Sequence, residues 1–229
     1  MLDSRQLGAR ARYTYVGCLA GLHRWMETAG VREEDPTDAV VRPKLPRRLP
    51  RPAPTADLVL ALERAPARMR AWLCLAAYAG LRCKEIAGLR VEDVRVDRDP
   101  PVLHLRDTKG DHDRVVPLGD EVWAALEHHG LPVTGYVFPA LDRAGRPTKN
   151  VLRPNYVSAE VSKYLHGIGI AATAHQLRHW FGTTLYQRTR DLKLVAELMG
   201  HAKIETTSLY VALIPTDEAV EAVRTLRAE

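Results

Sequence analysis

Apolar residues recur every three or four positions over most of the chain, and this spacing predicts a mainly helical protein. The longest periodic run covers residues 9–29 and ends at Gly30, a residue type that commonly terminates helices. Helix starts are expected at Thr55 or Asp57, at Pro66 and at Asp191, which are capping or first-turn residues. The other predicted helices cover residues 55–64, 66–79, 120–128, 155–166, a stretch that opens at His175, 191–199 and 204–211.

The spacing changes to a period of two between residues 94 and 118, which predicts strands. Val102–Arg106 and Arg114–Leu118 flank the turn sequence TKGDHD, and together they predict an antiparallel hairpin. With the helices on either side, the chain is predicted to be mainly α with a small antiparallel β-sheet, an α+β class.

Residues 36–54 contain six prolines, which predict an extended, semi-rigid linker rather than a helix. Five cationic residues stand there without an acidic neighbour: Arg42, Lys44, Arg47, Arg48 and Arg51. A solvated spacer explains this composition, and so does a strap along a DNA backbone. The predicted division is a helical segment over 1–41, a basic Pro-rich linker over 42–54 and a domain over 55–229.

The chain has a formal net charge of +5 and an isoelectric point near 9.2, which favours a polyanionic partner. Its three cysteines have no paired metal-ligand spacing, so free thiols in a reducing compartment are expected rather than a disulfide framework. No apolar run reaches membrane-spanning length, and residues 1–12 lack the apolar centre of a signal peptide. We therefore expect a cytoplasmic protein with no membrane contact.

One stretch concentrates polar residues that suit a phosphate. It contains, in order, His175, Arg178, His179, His201 and Tyr210. The first three share one face of a helix, because they are three and four positions apart. The fourth begins the turn after a helix that Gly200 ends, and the run behind it carries the tyrosine back towards the same place. Each residue alone has an ordinary explanation, as a half-buried histidine, a solvated arginine or a core tyrosine. The set predicts a phosphate-binding site.

The order and spacing of these residues resemble the tyrosine recombinases, the phage integrase family. The segment GLRCKEIAGLR, with Arg82 and Glu85, is similar to a box of that family, and Lys109 stands at the tip of a comparable hairpin. The resemblance covers residues 55–211 and, more weakly, residues 9–52. Members usually carry a complete helical core-binding domain at the N-terminus, and this chain has room for about the second half of one.

The resemblance implies DNA strand cleavage that needs neither a cofactor nor a metal. Arg82 and Arg178 would hold the nonbridging oxygens of the scissile phosphate with planar, two-donor groups. His175 and His201 would add hydrogen bonds, and His175 is favoured as the acceptor of the tyrosine proton. Tyr210 would attack phosphorus and form a 3′-phosphotyrosine link, while Lys109 protonates the leaving 5′ oxygen.

Supporting roles follow from the same resemblance. Glu85 would orient a neighbouring cation, with His179 behind the catalytic groups, although a surface ion pair explains Glu85 equally. The predicted DNA-backbone contacts are Lys44, Arg47, Arg48, Arg51, Lys149 and Arg153. An amphipathic stretch over 214–229 would form a C-terminal helix that docks on a neighbour in a DNA-bound homotetramer, or that packs on its own domain.

The expected function is that of a site-specific recombinase on double-stranded DNA, integrating or excising a mobile element such as a phage genome. It would act at the nucleoid of a bacterium or phage-infected host cell. Two alternatives stay open. One is a type IB-like topoisomerase, which shares the nucleophile and cations but relaxes one duplex as a monomer. The other is a non-catalytic DNA-binding regulator or truncated remnant.

Overall fold

The structure, a computed structural model, describes residues 7–45, 49–106, 113–201 and 204–213. The chain divides into two compact units, residues 1–48 and residues 49–229. The expected three-part division, with a separate linker, stays a prediction. None of the helices in the described ranges is long and apolar enough to cross a membrane. The cysteines are free thiols, exposed at Cys18, buried at Cys74 and intermediate at Cys83.

The first unit is built on one long helix, α1, which runs from Ala9 to Thr28 as the periodicity predicted. Val16 is its buried residue. On the same side, the guanidinium of Arg42 lies 4.0 Å from the centre of the Tyr13 ring and closes over Gly17. A cation over an aromatic face is a favourable contact. The inner face of α1 is therefore covered by the segment that follows it.

The second unit contains most of the helices, and the predicted ones are confirmed to within a few residues. They are α2 (Thr55–Arg64), α3 (Ala67–Tyr78), α4 (Cys83–Gly88), α5 (Asp120–His129), α6 (Pro154–Gly167), α7 (Ala174–Thr189), α8 (Leu192–Met199) and α9 (Ile204–Thr207). Short 3₁₀ turns occupy Val91–Asp93 and Ser208–Leu213. Sequence reasoning missed α4, because six residues are too few to show a helical period.

Strands β1 (Val94–Arg95), β2 (Val102–Leu105) and β3 (Arg114–Pro117) form an antiparallel sheet in that order. Leu103 of β2 lies opposite Val116 of β3, and both side chains are buried in the main core. The predicted hairpin, and the mainly α class with a small antiparallel sheet, are confirmed. The two-residue strand β1 was not anticipated, because it is too short to show an alternation.

Helix α3 lies at the centre of the second unit, and every side chain from Ala71 to Ala77 is buried. A helix that is apolar all round needs neighbours on all sides, and α3 packs against α2, α4, α5, α6 and α7. It is followed by Gly80, whose φ of +65° lies in the left-handed region. A Cβ at Gly80 would overlap the ring of Phe181, so this turn lies directly against α7. The contact brings the turn with Arg82 towards the face of α7 that carries Arg178.

Candidate active site

The site is assembled at the C-terminal end of α8, where Gly200 follows the helix with a φ of +61°. The last carbonyl groups of a helix have no partner within it, and they carry the negative end of the helix dipole. Three arginines donate to three consecutive carbonyls: Arg114 to Leu198 at 3.0 Å, Arg178 to Met199 at 2.5 Å and Arg82 to Gly200 at 2.6 Å. These bonds connect the start of α4, the start of β3 and the second turn of α7 to the end of one helix.

The carboxylate of Glu85 lies among the same three arginines. Both guanidinium amino groups of Arg114 donate to it at 2.8 Å, one to each oxygen. Arg82 donates through its backbone N–H at 2.7 Å and through Nη1 at 3.1 Å, and Nη1 of Arg178 lies 3.9 Å away. Burial raises the pKa of Glu85, but the hydrogen bonds and charge of Arg114, together with the backbone N–H of Arg82 and the charge of Arg178, outweigh it and hold that pKa below its ordinary value. Glu85 is therefore ionised and neutralises part of the cluster.

The two predicted catalytic arginines differ in access. Arg178 is 3% exposed, and its Nη1 donates to the carbonyl of Gly80. Burial, together with the charge of Arg82, lowers the pKa of Arg178 to about 9, so the guanidinium is still protonated at neutral pH. The side chain of Arg82 is 42% exposed. An anion that approaches from solvent therefore meets Arg82 first.

The tyrosine hydroxyl contacts the second histidine of α7. Nδ1 of His179 lies 3.0 Å from the hydroxyl oxygen of Tyr210, and the rings of His175 and His179 meet edge to face at 4.3 Å. Burial, then the neighbouring His175 and Arg178, lowers the pKa of His179 to about 4. Burial also raises the pKa of Tyr210 to about 12, against the opposing charge of Arg178. At neutral pH a neutral imidazole thus faces a protonated phenol.

The sequence favoured His175 as the acceptor of the tyrosine proton, whereas the structure places His179 against the hydroxyl. His175 lies one turn earlier on α7 and is exposed. Partial burial, Arg178 and Arg82 lower the pKa of His175 below its ordinary value. An exposed imidazole beside two arginines suits hydrogen bonding to a phosphate oxygen better than contact with the buried phenol.

His201 is held by a residue that sequence reasoning missed. Its Nδ1 lies 2.9 Å from the hydroxyl oxygen of Thr207, which is fully buried. Burial, then Arg178 and Arg82, lowers the pKa of His201 to about 4, so the ring is neutral at pH 7. When the threonine hydroxyl donates to Nδ1, the ring carries its proton on Nε2 and offers it to an anion. Thr207 has no signal in the sequence beyond its position between His201 and Tyr210.

A glycine in the middle of α7 makes room for the tyrosine ring. A Cβ at Gly182 would lie 2.7 Å from Cζ of Tyr210 and 2.7 Å from Sδ of Met199. Tyr210 is 1% exposed and packs with Tyr186, Val195 and Met199 in a small apolar cluster. Glycine inside a helix normally destabilises it, so this one is explained by the close approach of the ring. Sequence reasoning did not single out Gly182 or the ion-pair role of Arg114.

The structure thus brings together most of the predicted site residues: Arg82, Glu85, His175, Arg178, His179, His201 and Tyr210. Lys109, Arg47 and Arg48 lie outside the described residues. Lys44 in the first unit, and Arg51, Lys149 and Arg153 in the second, are exposed. Among the described residues, no group of three histidine, cysteine or carboxylate side chains is placed to hold a metal ion. The roles of all these residues stay predictions.

A mainly helical domain with a small antiparallel sheet, and a tyrosine beside clustered arginines and histidines, define the class of tyrosine-type site-specific recombinases. The phage integrase family matches residues 53–216, so the chain belongs to this family, as its motifs predicted. XerD of Pseudomonas aeruginosa, a tyrosine recombinase, is 31% identical over 220 residues, which are 88% of this chain and 70% of that protein. The enzyme class expected from the sequence is confirmed.

Solved structures agree with this assignment. The integrase of mycobacterium phage Brujita matches with 30% identity and a TM-score of 0.55, over 99% of this chain and 75% of that one. XerH bound to its difH substrate, in a pre-cleavage complex, matches with a TM-score of 0.68 over 98% of this chain and 68% of that one. At 20% identity, the second likeness shows the fold alone. The chain spans between 59% and 74% of the length of the first curated relatives it matches.

Proposed function

We propose that the chain cleaves and rejoins DNA strands at a specific site through a covalent 3′-phosphotyrosine link on Tyr210. The observation that carries the proposal is the hydroxyl of Tyr210 at 3.0 Å from a neutral imidazole, beside the three-arginine cluster at the end of α8. Attack on a phosphodiester needs fixed positive donors for the two nonbridging oxygens and a path for the proton of the nucleophile. The arginine cluster and the imidazole of His179 are the proposed sources of these two requirements.

The phosphate would bind first to Arg82, the more exposed arginine, with Arg178 adding positive charge from the buried side. Glu85 and the carbonyls of α8 hold both guanidinium groups in place, so little reorganisation is needed when charge builds on the oxygens. His175 and Nε2 of His201 supply neutral hydrogen-bond donors to the same oxygens. Lys109, outside the described residues, is proposed as the acid that protonates the 5′ oxygen.

The nucleophile needs a proton acceptor, because the pKa of Tyr210 is about 12 in its buried position. His179 is neutral at pH 7 and is in hydrogen-bond contact, so it is the proposed first acceptor in this arrangement. Since Tyr210 is only 1% exposed, the turn that carries it must move before its oxygen can lie in line with a phosphate. Contact with DNA is the proposed trigger for this movement.

The proposed substrate is double-stranded DNA, and the proposed biology is integration or excision of a mobile element such as a phage genome. The Brujita phage integrase, at 30% identity, supports this biology. DNA in the solved complex of XerH supports the substrate class. The protein would then act at the nucleoid, within the cytoplasm of a bacterium or phage-infected host.

A homotetramer on paired sites is proposed, with residues 214–229 docking on a neighbouring subunit. An open apolar recess of about 280 Å³ between α3 and α7 suits such a segment, and Tyr78, Trp180 and Leu185 line it. Arg188 also borders the recess, and its positive charge complements the carboxylates of Glu218 and Glu221 in that segment. Arg188→Glu should reduce strand exchange between duplexes and spare cleavage, whereas Lys193→Glu, at an exposed position on α8, should change neither.

The test of the whole proposal is covalent trapping. A pool of nicked duplexes with randomised sequence is incubated with the chain, and adducts are separated by denaturing electrophoresis and sequenced. We expect an adduct with the wild type and with Tyr186→Phe, and none with Tyr210→Phe. An adduct that persists in Tyr210→Phe would refute the nucleophile. DNA binding without any adduct would favour a regulator, and relaxation without exchange between two labelled duplexes would favour a topoisomerase.

A further inference from the structure

Helix α1 has a second apolar face, opposite the one that Arg42 covers. Its members, here called the outer stripe, are Tyr15, Cys18, Leu19, Leu22 and Trp25. All five are exposed, Trp25 at 62% and Leu22 at 50%. Their spacing of three and four residues places them in one continuous seam of the kind that pairs helices. No charged residue interrupts this seam on the helix.

The ends of α1 lack the charges that usually stabilise a helix. Its first turn contains no acidic residue, and its last turn contains no basic residue. Instead, Arg10 and Arg12 stand near the positive end of the helix dipole, and Glu27 stands near the negative end. Each of these placements is unfavourable for an isolated helix. Three further carboxylates, Glu33, Glu34 and Asp35, follow the helix beside a single cation, Arg32, so this end is acidic overall.

We propose that the outer stripe is a docking surface for α1 of a second copy of this chain, with the two helices antiparallel. In that orientation the acidic end of each helix lies beside the basic end of the other, so both unfavourable ends gain opposite charges. A parallel pair would place like charges together at both ends. The contact is self-complementary, as a two-fold symmetric interface requires.

The register follows from the extent of the stripe. Centring the pair on residue 20 places Cys18 opposite Leu22 of the second copy and Tyr15 opposite Trp25. In this register residues 12–28 of the two helices overlap, a length of roughly 25 Å, and a seam about 10 Å wide covers roughly 250 Å² on each copy. A stable dimer buries about 800 Å² on each partner, roughly three times as much, so the pair is weak between free chains and needs a high local concentration.

The native Cys18 allows a direct test in the full chain. In Leu22→Cys, each new thiol should face Cys18 of a second copy, so mild oxidation should give a covalent dimer whose yield rises with chain concentration. The matched control is Arg24→Cys, which places the same thiol on the opposite side of α1. We expect the dimer from Leu22→Cys to exceed clearly that from the control, and adding Trp25→Glu should remove the excess.

Sedimentation equilibrium at high chain concentration gives a second measurement. Leu22→Glu places a charge in the seam, so it should weaken self-association at least about tenfold. Equal dimer yields from Leu22→Cys and Arg24→Cys would overturn the proposal. A second result would also overturn it: the wild-type chain stays monomeric at every concentration, and Leu22→Glu lowers its melting temperature. The outer stripe would then be covered by its own chain. Neither measurement needs DNA, so their outcome is independent of the recombinase proposal.

Discussion

Replacing Glu85 with glutamine tests whether one carboxylate holds the arginine cluster together. The change keeps the shape of the side chain and removes its charge. Arg114 loses two charge-assisted hydrogen bonds at 2.8 Å, and one of them becomes a contact between two donors. Arg178, which is 3% exposed, loses the nearest negative side chain recorded beside it. The cluster then contains three positive groups without a negative side chain beside them. Their remaining described partners are neutral: the amide oxygen of the new side chain and the carbonyl groups around the end of α8 and at Gly80.

The magnitude follows from the burial of the pair. Removing one partner of a buried ion pair costs about 3–5 kcal/mol. The side chains of Glu85 and Arg114 are 18% and 11% exposed, so the lower end applies, about 3 kcal/mol. For a domain of this size each kcal/mol shifts the melting temperature by about 2–4 °C, so Glu85→Gln should melt about 6–12 °C lower.

Urea unfolding at pH 7 measures the free energy, and a thermal scan measures the melting temperature, both by circular dichroism. Glu197→Gln is the matched control. Glu197 pairs with Lys193 at 3.9 Å on the exposed side of α8, and its side chain is 62% exposed. Such a pair contributes less than about 1 kcal/mol. If Glu85→Gln costs no more than the control, the carboxylate does not hold the arginines, and the reasoning about the cluster is refuted.

Three further predictions concern pH, packing and DNA binding. The pKa values of His179 and His201 are about 4 when folded and about 6.5 when unfolded, so the unfolded chain binds protons first. Stability should therefore fall between pH 6.5 and 4, by up to about 3 kcal/mol for each ring, and urea unfolding of His201→Gln should show a flatter pH dependence. Gly182→Ala should lower the free energy of unfolding by about 1–3 kcal/mol through overpacking, whereas Gly21→Ala, in open space on α1, should raise it slightly in the same urea assay. The variant Arg47→Ala, Arg48→Ala, Arg51→Ala removes three cations of the predicted linker. In a salt titration, the slope of log DNA affinity against log salt concentration should be flatter by up to about three units in this variant. An unchanged pH dependence in His201→Gln, equal effects of the two glycine changes, or an unchanged salt slope in the triple variant would contradict the respective prediction.

The sequence by itself predicted most of the helices, the hairpin strands and a set of candidate site residues, because both kinds of prediction depend on short-range spacing. The period of apolar positions placed α1, α3 and the hairpin within a few residues of their observed bounds. Asp191 was predicted as a helix cap, and its side chain accepts the backbone N–H of Leu194 at 3.0 Å. The order of three histidines, an arginine and a tyrosine over residues 175–210 indicated the family, since such order is visible without any tertiary contact.

The contacts within the site were decided only by the tertiary structure, because their partners are far apart along the chain. Arg82 donates to the carbonyl of Gly200, 118 residues away, and Arg178 donates to that of Gly80, 98 residues away. No spacing rule connects such positions. The same applies to the choice of His179 over His175 as the neighbour of Tyr210. Both histidines lie on one face of α7, and only the packing of the turn after α9 against that helix decides which imidazole meets the hydroxyl.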